Sequence, residues 1–164
     1  MTTTTTTTDL KRLGTKETAA RIRNDIKNLQ KHGLLPAGKF SVTMSRYAGG
    51  SSITIDVLDV AAIMFNTARF MAEIREPHAY RYEEARMTAE GERIMALLKK
   101  VAGVYHRDDS DIASDYFNVN FYLHVYSHGQ EAKERAAFDA MMAEAEVARI
   151  DAEDEAECAA AIEE

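Results

Sequence analysis

The chain has 164 residues, of which 46% are hydrophobic and 29% charged, and its formal net charge is −7. This balance predicts one globular domain with appendages and excludes a disordered acidic chain. The single cysteine excludes a disulfide framework and a cysteine-rich zinc module, and no apolar run approaches the ~20 residues of a membrane span. We therefore expect a cytoplasmic protein without membrane contact.

The charge is distributed unevenly along the chain. Residues 9–50 contain nine Lys or Arg and three Asp or Glu, whereas residues 128–164 contain three and twelve. Residues 51–127 are mildly acidic, with eight basic and twelve acidic side chains. A basic first part can contact phosphate, and an acidic last part can repel or imitate it. Two solvated helix faces would give the same distribution, so both interpretations stay open.

The first predicted element is a helix that follows a low-complexity start. Residues 1–14 begin with a threonine run and predict a disordered N-terminus. A helix is predicted over residues 16–31, with Thr15 as its N-cap and Gly33 just past its end. The apolar residues that recur there at intervals of three and four are Ala19, Ile22, Ile26 and Leu29. Three basic side chains on its other faces are candidates for phosphate contact: Arg23, Lys27 and Lys31.

A β-hairpin is predicted next, because apolar and polar residues alternate with the period of two that a half-buried strand requires. The apolar positions are Phe40, Val42, Met44, Ile53, Ile55 and Val57. Gly49 and Gly50 lie between the two runs and allow the positive φ that a tight hairpin needs. Arg46 and Tyr47 are expected at the exposed tip of the hairpin, and both are candidate binding residues.

Two more helices and a third strand complete the predicted domain. Helical periodicity over residues 59–75 places Asp59 at an N-cap, and Thr88 is the expected N-cap of a helix over residues 89–105. The clearest alternation in the chain predicts a strand over residues 116–126, with one apolar face. Its other face carries Tyr126 and the candidate binding residues Tyr116, Asn118, Asn120, Tyr122 and His124.

Residues 128–164 are rich in alanine and acidic residues and predict one long helix with a weak apolar stripe. The stripe could dock on its own domain or on a partner.

The element order predicts an α+β two-layer sandwich over residues 15–127. It consists of a three-stranded, mainly antiparallel sheet with helices on one face, and the long C-terminal helix is added to it. The other face then stays open, and open sheets with aromatic side chains can stack unpaired bases. Tyr is also an ordinary strand residue, so a plain solvated face is the alternative.

No group of residues indicates catalysis. Ser110 lacks the glycine-flanked elbow of a hydrolase nucleophile, and the acidic surroundings of Cys158 disfavour a thiolate. One cluster offers oxygen ligands that a hard cation accepts, although turn and capping roles explain the same residues more simply. That cluster contains His106, Asp108, Asp109, Asp111 and Asp115. We expect no enzyme activity, no cofactor and no metal site.

Two separated segments resemble one known family. Residues 39–53, which contain Ser45-Arg46-Tyr47 and Gly49-Gly50-Ser51, resemble the hairpin of the large polyvalent-protein-associated domain family. Residues 109–122 are similar to the closing strand of that family, and residues 15–27 are similar to its opening helix. The segment Val57-Leu58-Asp59 departs from it, because the family usually has a tryptophan and a Gly-Pro pair there.

The resemblance implies a protein of phages or conjugative elements that protects incoming DNA or counters host defence. It supplies no catalytic residues. The predicted function is therefore a non-enzymatic mobile-element accessory protein that binds a host protein or nucleoprotein. The alternative is a single-stranded nucleic-acid-binding module that uses the open Tyr/Asn face and the basic first helix. A homo-oligomer formed through the C-terminal helix is a further expectation.

Overall fold

The computed structural model describes residues 10, 11, 13–77, 85–110, 113 and 118–162, with side chains up to residue 155. Within this described part the chain forms four helices and one three-stranded sheet, which confirms the α+β fold with a long C-terminal helix. In chain order the elements are α1 (Thr15–Lys31), β1 (Gly38–Tyr47), β2 (Gly50–Val60), α2 (Thr67–Arg75), α3 (Ala89–Gly103), β3 (Tyr122–Tyr126) and α4 (His128–Ile162).

The sheet is mixed and has the order β1-β2-β3. β1 and β2 form the predicted hairpin and pair antiparallel, with Val42 opposite Ile55. β3 pairs parallel with β2, with Leu123 opposite Ile53. A parallel neighbour needs a long crossover, and α2 and α3 supply it. The antiparallel pair has ten register positions and the parallel pair five, so the sheet is mainly antiparallel as predicted.

One face of the sheet and the helices that cover it build the core. The alternating apolar residues of β2 are completely buried, and they pack with the apolar stripes of α1 and α3. These buried side chains are Ile53, Ile55 and Val57 from β2, Ala19, Ile22 and Ile26 from α1, and Ile94, Leu98 and Ala102 from α3. Burial of each large side chain contributes about 1.5–3 kcal/mol to the free energy of unfolding. The core faces predicted from periodicity are therefore confirmed.

The ends of α1 differ in how well the sequence predicts them. Thr15 is the first residue of the helix rather than its N-cap, and its Oγ1 shares a hydrogen bond of 2.8 Å with Ser51 Oγ. Gly14 takes the N-cap position without a side-chain bond. At the other end, Gly33 has a φ of 70°, and the Leu34 N–H bonds to the Leu29 carbonyl at 2.9 Å. The glycine termination is therefore confirmed.

The helix predicted over residues 59–75 is wrong in its first half. β2 continues to Val60, and α2 begins only at Thr67, where the Asn66 side chain accepts a hydrogen bond from the Ala68 N–H at 3.1 Å. Asp59 lies opposite Lys39 in the sheet and forms an ion pair with Lys133 instead of capping a helix. The apolar run between β2 and α2 is an extended segment whose amides are bonded by α4.

Thr88 caps α3 as predicted. Its Oγ1 accepts a hydrogen bond from the Gly91 N–H at 3.0 Å and donates one to the Ile63 carbonyl at 2.8 Å. Gly91 faces the backbone of Met64 so closely that a Cβ on it would lie 2.3 Å from the Met64 carbonyl oxygen. Glycine is therefore required at this crossing of α3 over the extended segment.

The first turns of α4 complete the core. Gln130 is buried, and its Oε1 accepts a hydrogen bond from the Val60 N–H at 2.8 Å. Glu134 accepts hydrogen bonds of 2.8 Å from the N–H groups of both Met64 and Phe65. Phe138 is buried against α2. Side chains 139–155 are exposed except for the half-buried Met142, so only the start of α4 is docked.

The segment before α1 also contacts the core. Leu10 and Leu13 are partly buried against it, and the Lys11 carbonyl accepts a hydrogen bond from Asn120 Nδ2 at 3.3 Å. The threonine run lies in residues 1–9, which are outside the described residues.

Candidate functional site

The face of the sheet opposite the core is not covered by any described helix. α4 passes the end of β2 at Leu58, where a Cβ on Gly129 would lie 2.7 Å from the Leu58 Cα. It then continues along the extended segment and α2, away from this face. We call this surface the open face. Its residues are Ser41, Thr43, Ser45, Tyr47, Ser52, Thr54, Asp56, Tyr122, His124 and Tyr126.

Five aromatic side chains lie together on the open face and at its end. Tyr47 stacks on Tyr122, with ring centroids 6.5 Å apart and ring planes 25° apart. Tyr126 lies between His124, at 5.9 Å and 6°, and His128, at 4.6 Å and 26°. The tyrosines at positions 47, 122 and 126 are 50%, 43% and 40% exposed. We call these five residues the aromatic strip.

The strand register explains why these rings meet. Tyr47 lies opposite Gly50, and Tyr122 lies opposite Ser52, two residues further along β2. Gly50 has no side chain and a φ of 149°, so the two tyrosine rings face each other over it. The strand period of two places every second residue of β3 on the same face. At the end of β3, the carboxylate of Asp56 accepts a hydrogen bond of 3.0 Å from the His128 backbone N–H.

A groove beside β3 adds a positive charge to the aromatic strip. It has a volume of about 470 Å³, and Lys99 of α3 lines it together with Tyr122 and His124. Asp108 lies in the same groove, and its carboxylate accepts a hydrogen bond of 3.0 Å from the Ser110 N–H. Hydrogen bonds from Ser110 hold the pKa of Asp108 below its usual value. The groove therefore combines the exposed ammonium group of Lys99 with the carboxylate of Asp108, which already accepts a hydrogen bond from Ser110.

Three of the predicted binding residues come together in the strip: Tyr47, Tyr122 and His124. Arg46 lies beside Tyr47 in β1, but alternation places it on the opposite side of the strand, at the exposed end of the hairpin. Tyr116 lies outside the described residues.

Asn118 and Asn120 do not lie on the open face, so their predicted placement there is wrong, whereas their role in binding stays a prediction. β3 begins only at Tyr122 instead of residue 116, because the preceding segment turns back onto the loop after α3. The Asn118 carbonyl accepts a hydrogen bond from the Asp109 N–H at 3.0 Å. Asn120 Nδ2 donates to the Tyr105 carbonyl at 2.8 Å, and its Oδ1 accepts from the Arg107 N–H at 2.9 Å. The Asn120 side chain therefore holds the loop in place.

The three predicted phosphate-contact residues lie on α1, in the helix layer behind the sheet. Arg23 donates from Nε and Nη2 to the Val42 carbonyl, at 3.1 and 2.6 Å. Lys27 lines a groove of about 260 Å³ between α1 and β1, together with Arg23 and Lys39. Lys31 is exposed in the last turn of α1. The structure does not bring these residues to the aromatic strip.

Two residues of this site were missed in the sequence, His128 within the aromatic strip and Lys99 beside it. His128 continues the alternation of β3 by one more step, so the pattern contains its signal. Lys99 has no such signal, because its place beside Tyr122 depends on how α3 packs against the sheet.

The described part of the chain contains no group of three or more His, Cys, Asp or Glu side chains placed to hold a metal ion. In the predicted acidic cluster, Asp109 forms an ion pair of 3.4 Å with Arg107. Asp111 and Asp115 lie outside the described residues. None of the described helices combines the length and the apolarity needed to cross a bilayer. The absence of an enzyme activity and of a cofactor stays a prediction.

Comparison of the chain with protein-family models, with curated proteins and with solved structures found no match. The resemblance to the large polyvalent-protein-associated domain family therefore stays a prediction.

Proposed function

We propose that the protein is a non-enzymatic binding module that holds single-stranded nucleic acid on the aromatic strip. The observation that supports this function is the exposure of five aromatic side chains in one strip on an uncovered sheet face. Isolated exposed aromatic residues are ordinary, whereas a contiguous exposed patch is typical of an interaction surface.

Exposed aromatic rings can stack on unpaired bases. Every base has a π face, and stacking on a protein ring contributes about 1–3 kcal/mol per base without a strong sequence preference. The strip contains two ring stacks, the Tyr47–Tyr122 pair and the row from His124 to His128, and a base would add at the outer rings of either stack. Bases in a duplex are already stacked on each other, so a sheet face of this kind favours single strands.

The charge around the strip is compatible with a phosphate backbone. Lys99 lies in the groove beside Tyr122 and His124. Residues 1–127 contain seventeen Lys or Arg and fifteen Asp or Glu, so the negative net charge comes from the α4 segment. With few cations beside the strip, stacking provides most of the affinity, and the salt dependence is shallow.

The family resemblance alone supports two further predictions. One is a setting in a phage or conjugative element, and the other is a host protein or nucleoprotein as the target. Both stay predictions beside the proposed function. Binding to the nucleic-acid part of a nucleoprotein would be consistent with both.

The test is an anisotropy titration of the purified protein with a labelled oligothymidylate and with a duplex of the same length, at about 50 and 200 mM salt. We expect the single strand to bind more tightly. Tyr122→Ala should weaken that binding about 5–150-fold, which corresponds to ~1–3 kcal/mol of stacking.

Tyr122→Phe is the matched control, because it keeps the ring and should stay within about twofold of the wild type. Circular dichroism of each variant checks that the fold is intact. No binding at low salt, or wild-type affinity in Tyr122→Ala, would contradict the proposed function.

A further inference from the structure

The exposed part of α4 carries an apolar row that is separate from the aromatic strip. Its residues recur at intervals of three, four and three, which places them on one side of the helix. We call this row the α4 seam, and it consists of Ala140, Ala143, Val147 and Ile150. All four are exposed, Val147 by 58% and Ile150 by 44%. Part of the seam lines a shallow groove together with Glu144 and Asp151.

The spacing of the seam is that of a short coiled-coil interface. Ala140 and Val147 take the first apolar position of a heptad, and Ala143 and Ile150 take the second. Two small residues followed by two branched ones let a second helix approach closely at one end and insert side chains at the other. The seam is about 15 Å long, at 1.5 Å per residue. It therefore fits about three turns of a partner helix.

Both flanks of the seam are acidic. Heptad positions beside the apolar ones decide which helix pairs with which, through the charges they present. One flank carries Glu144 and Asp151, and the other carries Asp139, Glu146 and Glu153. Across residues 139–155 there are seven Asp or Glu and one Arg.

The two flanks differ in how far their charge is already neutralised. Asp139 Oδ1 lies 3.1 Å from Arg135 Nε, and Glu146 Oε1 lies 2.7 Å from Arg149 Nη2. Arg149 also pairs with Glu153. The hydrogen bond from Arg149 holds the pKa of Glu146 below its usual value.

On the other flank, Glu144 and Asp151 form no ion pair with any described residue. Positive charge on a partner is therefore expected to face these two carboxylates.

A second copy of this chain does not suit the seam. Parallel pairing would place one acidic flank against the other, and antiparallel pairing would place each flank against itself. Like charges in those positions destabilise the pair. The same charges repel a phosphate backbone, so nucleic acid does not suit the seam either.

From the seam and its flanks we infer that α4 docks an amphipathic helix of a partner protein. That helix has apolar residues facing the α4 seam, and it has Lys or Arg facing Glu144 and Asp151. A three-turn interface buries little area, so the complex is weak and transient, and its charged flank makes it sensitive to salt.

The test uses the full chain and two synthetic helical peptides. Both peptides have Ile and Leu at the two apolar heptad positions; one has Lys and the other Glu at the flanking positions. In a calorimetric titration we expect the Lys peptide to bind at least about tenfold more tightly than the Glu peptide, and to weaken at high salt. Equal binding of the two peptides would overturn the inference.

Substitutions identify the surface. Val147→Gln with Ile150→Gln should weaken binding of the Lys peptide at least about tenfold, because it removes the branched side chains of the seam. Met141→Gln is the matched control, since Met141 is 53% exposed on another side of α4. Glu144→Lys with Asp151→Lys should reverse the preference in favour of the Glu peptide.

Unchanged binding in Val147→Gln with Ile150→Gln, at wild-type helix content, would contradict the docking surface. Sedimentation that shows wild-type dimers, and monomers in that double variant, would assign the seam to a second copy and overturn the inference.

Discussion

At the scale of single residues, a buried tyrosine joins the end of α3 to α1. Tyr105 is only 6% exposed, and its hydroxyl donates to Asp25 Oδ2 at 2.5 Å. Burial, together with the hydrogen bond to the Asp25 carboxylate, raises the pKa of Tyr105 from 10 to about 12. The neutral phenol is therefore the form that the folded protein stabilises.

This pKa predicts how stability depends on alkaline pH. The unfolded phenol ionises near pH 10 and the folded one near pH 12. The contribution of Tyr105 to the free energy of unfolding is therefore complete below pH 10 and is lost between pH 10 and 12. Tyr105→Phe should lower stability at neutral pH by about 1–3 kcal/mol and should flatten the alkaline slope.

Urea unfolding at several pH values between 8 and 12 measures both effects. Tyr122→Phe is the control, because it removes a hydroxyl from an exposed ring, and it should keep the wild-type slope. Parallel curves for the wild type and Tyr105→Phe would contradict the assignment.

Single residues were predictable where their partners are local in sequence. Thr88 caps an amide only three residues further along the chain, and Gly33 lies only two residues after the end of the helix that it terminates. Gln130 and Asn120 were not predictable in this way. Gln130 bonds to Val60, 70 positions earlier, and Asn120 bonds to the carbonyl of Tyr105, 15 positions earlier. The positions of such polar anchors depend on the tertiary fold.

At the scale of elements, α3 crosses the extended segment at Gly91. A glycine inside a helix is usually destabilising, so replacing it with alanine stabilises an exposed helix by about 1 kcal/mol. Here the added Cβ would lie 2.3 Å from the Met64 carbonyl oxygen, which is backbone and cannot turn aside. The helix would have to shift away from the core.

We therefore expect Gly91→Ala to destabilise the protein by about 1–3 kcal/mol, as overpacking does. Gly103→Ala in the same helix is the matched control, because a Cβ there has no atom within 4 Å. It should be neutral or slightly stabilising in the same thermal and urea unfolding experiments. Equal stability of the two variants would show that α3 tolerates the shift.

Elements were predictable where one face carries a clear period. α1, α3 and the hairpin follow from their apolar spacing, and the bounds of the two helices lie within two residues of the expected ones. The prediction failed for residues 59–66, because their apolar residues enter the core from an extended segment bonded to Glu134. The predicted start of β3 is wrong for a related reason, since Val119 pairs with Asp108 instead of extending the strand.

At the scale of the whole molecule, the fold separates the predicted basic helix from the aromatic strip. α1 covers the core face of the sheet, whereas Tyr122 and His124 lie on the open face beside Lys99. The sequence places positive charge and aromatic residues in one domain. Only the packing of α3 against β3 decides which cation lies beside the rings.

This arrangement predicts which lysine contributes to nucleic-acid binding. Lys99→Gln should weaken oligothymidylate binding and reduce the slope of log affinity against log salt by about 0.7, as expected for one phosphate contact to a single strand. Lys27→Gln is the matched control, because Lys27 lines the groove between α1 and β1. Lys27→Gln should leave the slope unchanged. A reduced slope in Lys27→Gln, with an unchanged slope in Lys99→Gln, would assign the phosphate contact to α1 instead.

Two side chains of α1 close the outer edge of β1. Arg23 donates a hydrogen bond to the Val42 carbonyl, and Gln30 Nε2 donates one to the Gly38 carbonyl at 3.0 Å. A foreign strand that added to β1 along Gly38–Val42 would have to break both contacts, which disfavours edge-to-edge growth of the sheet there. The position of α1 thus lowers the tendency of this end of β1 to template another strand, as a covering helix does at a sheet edge.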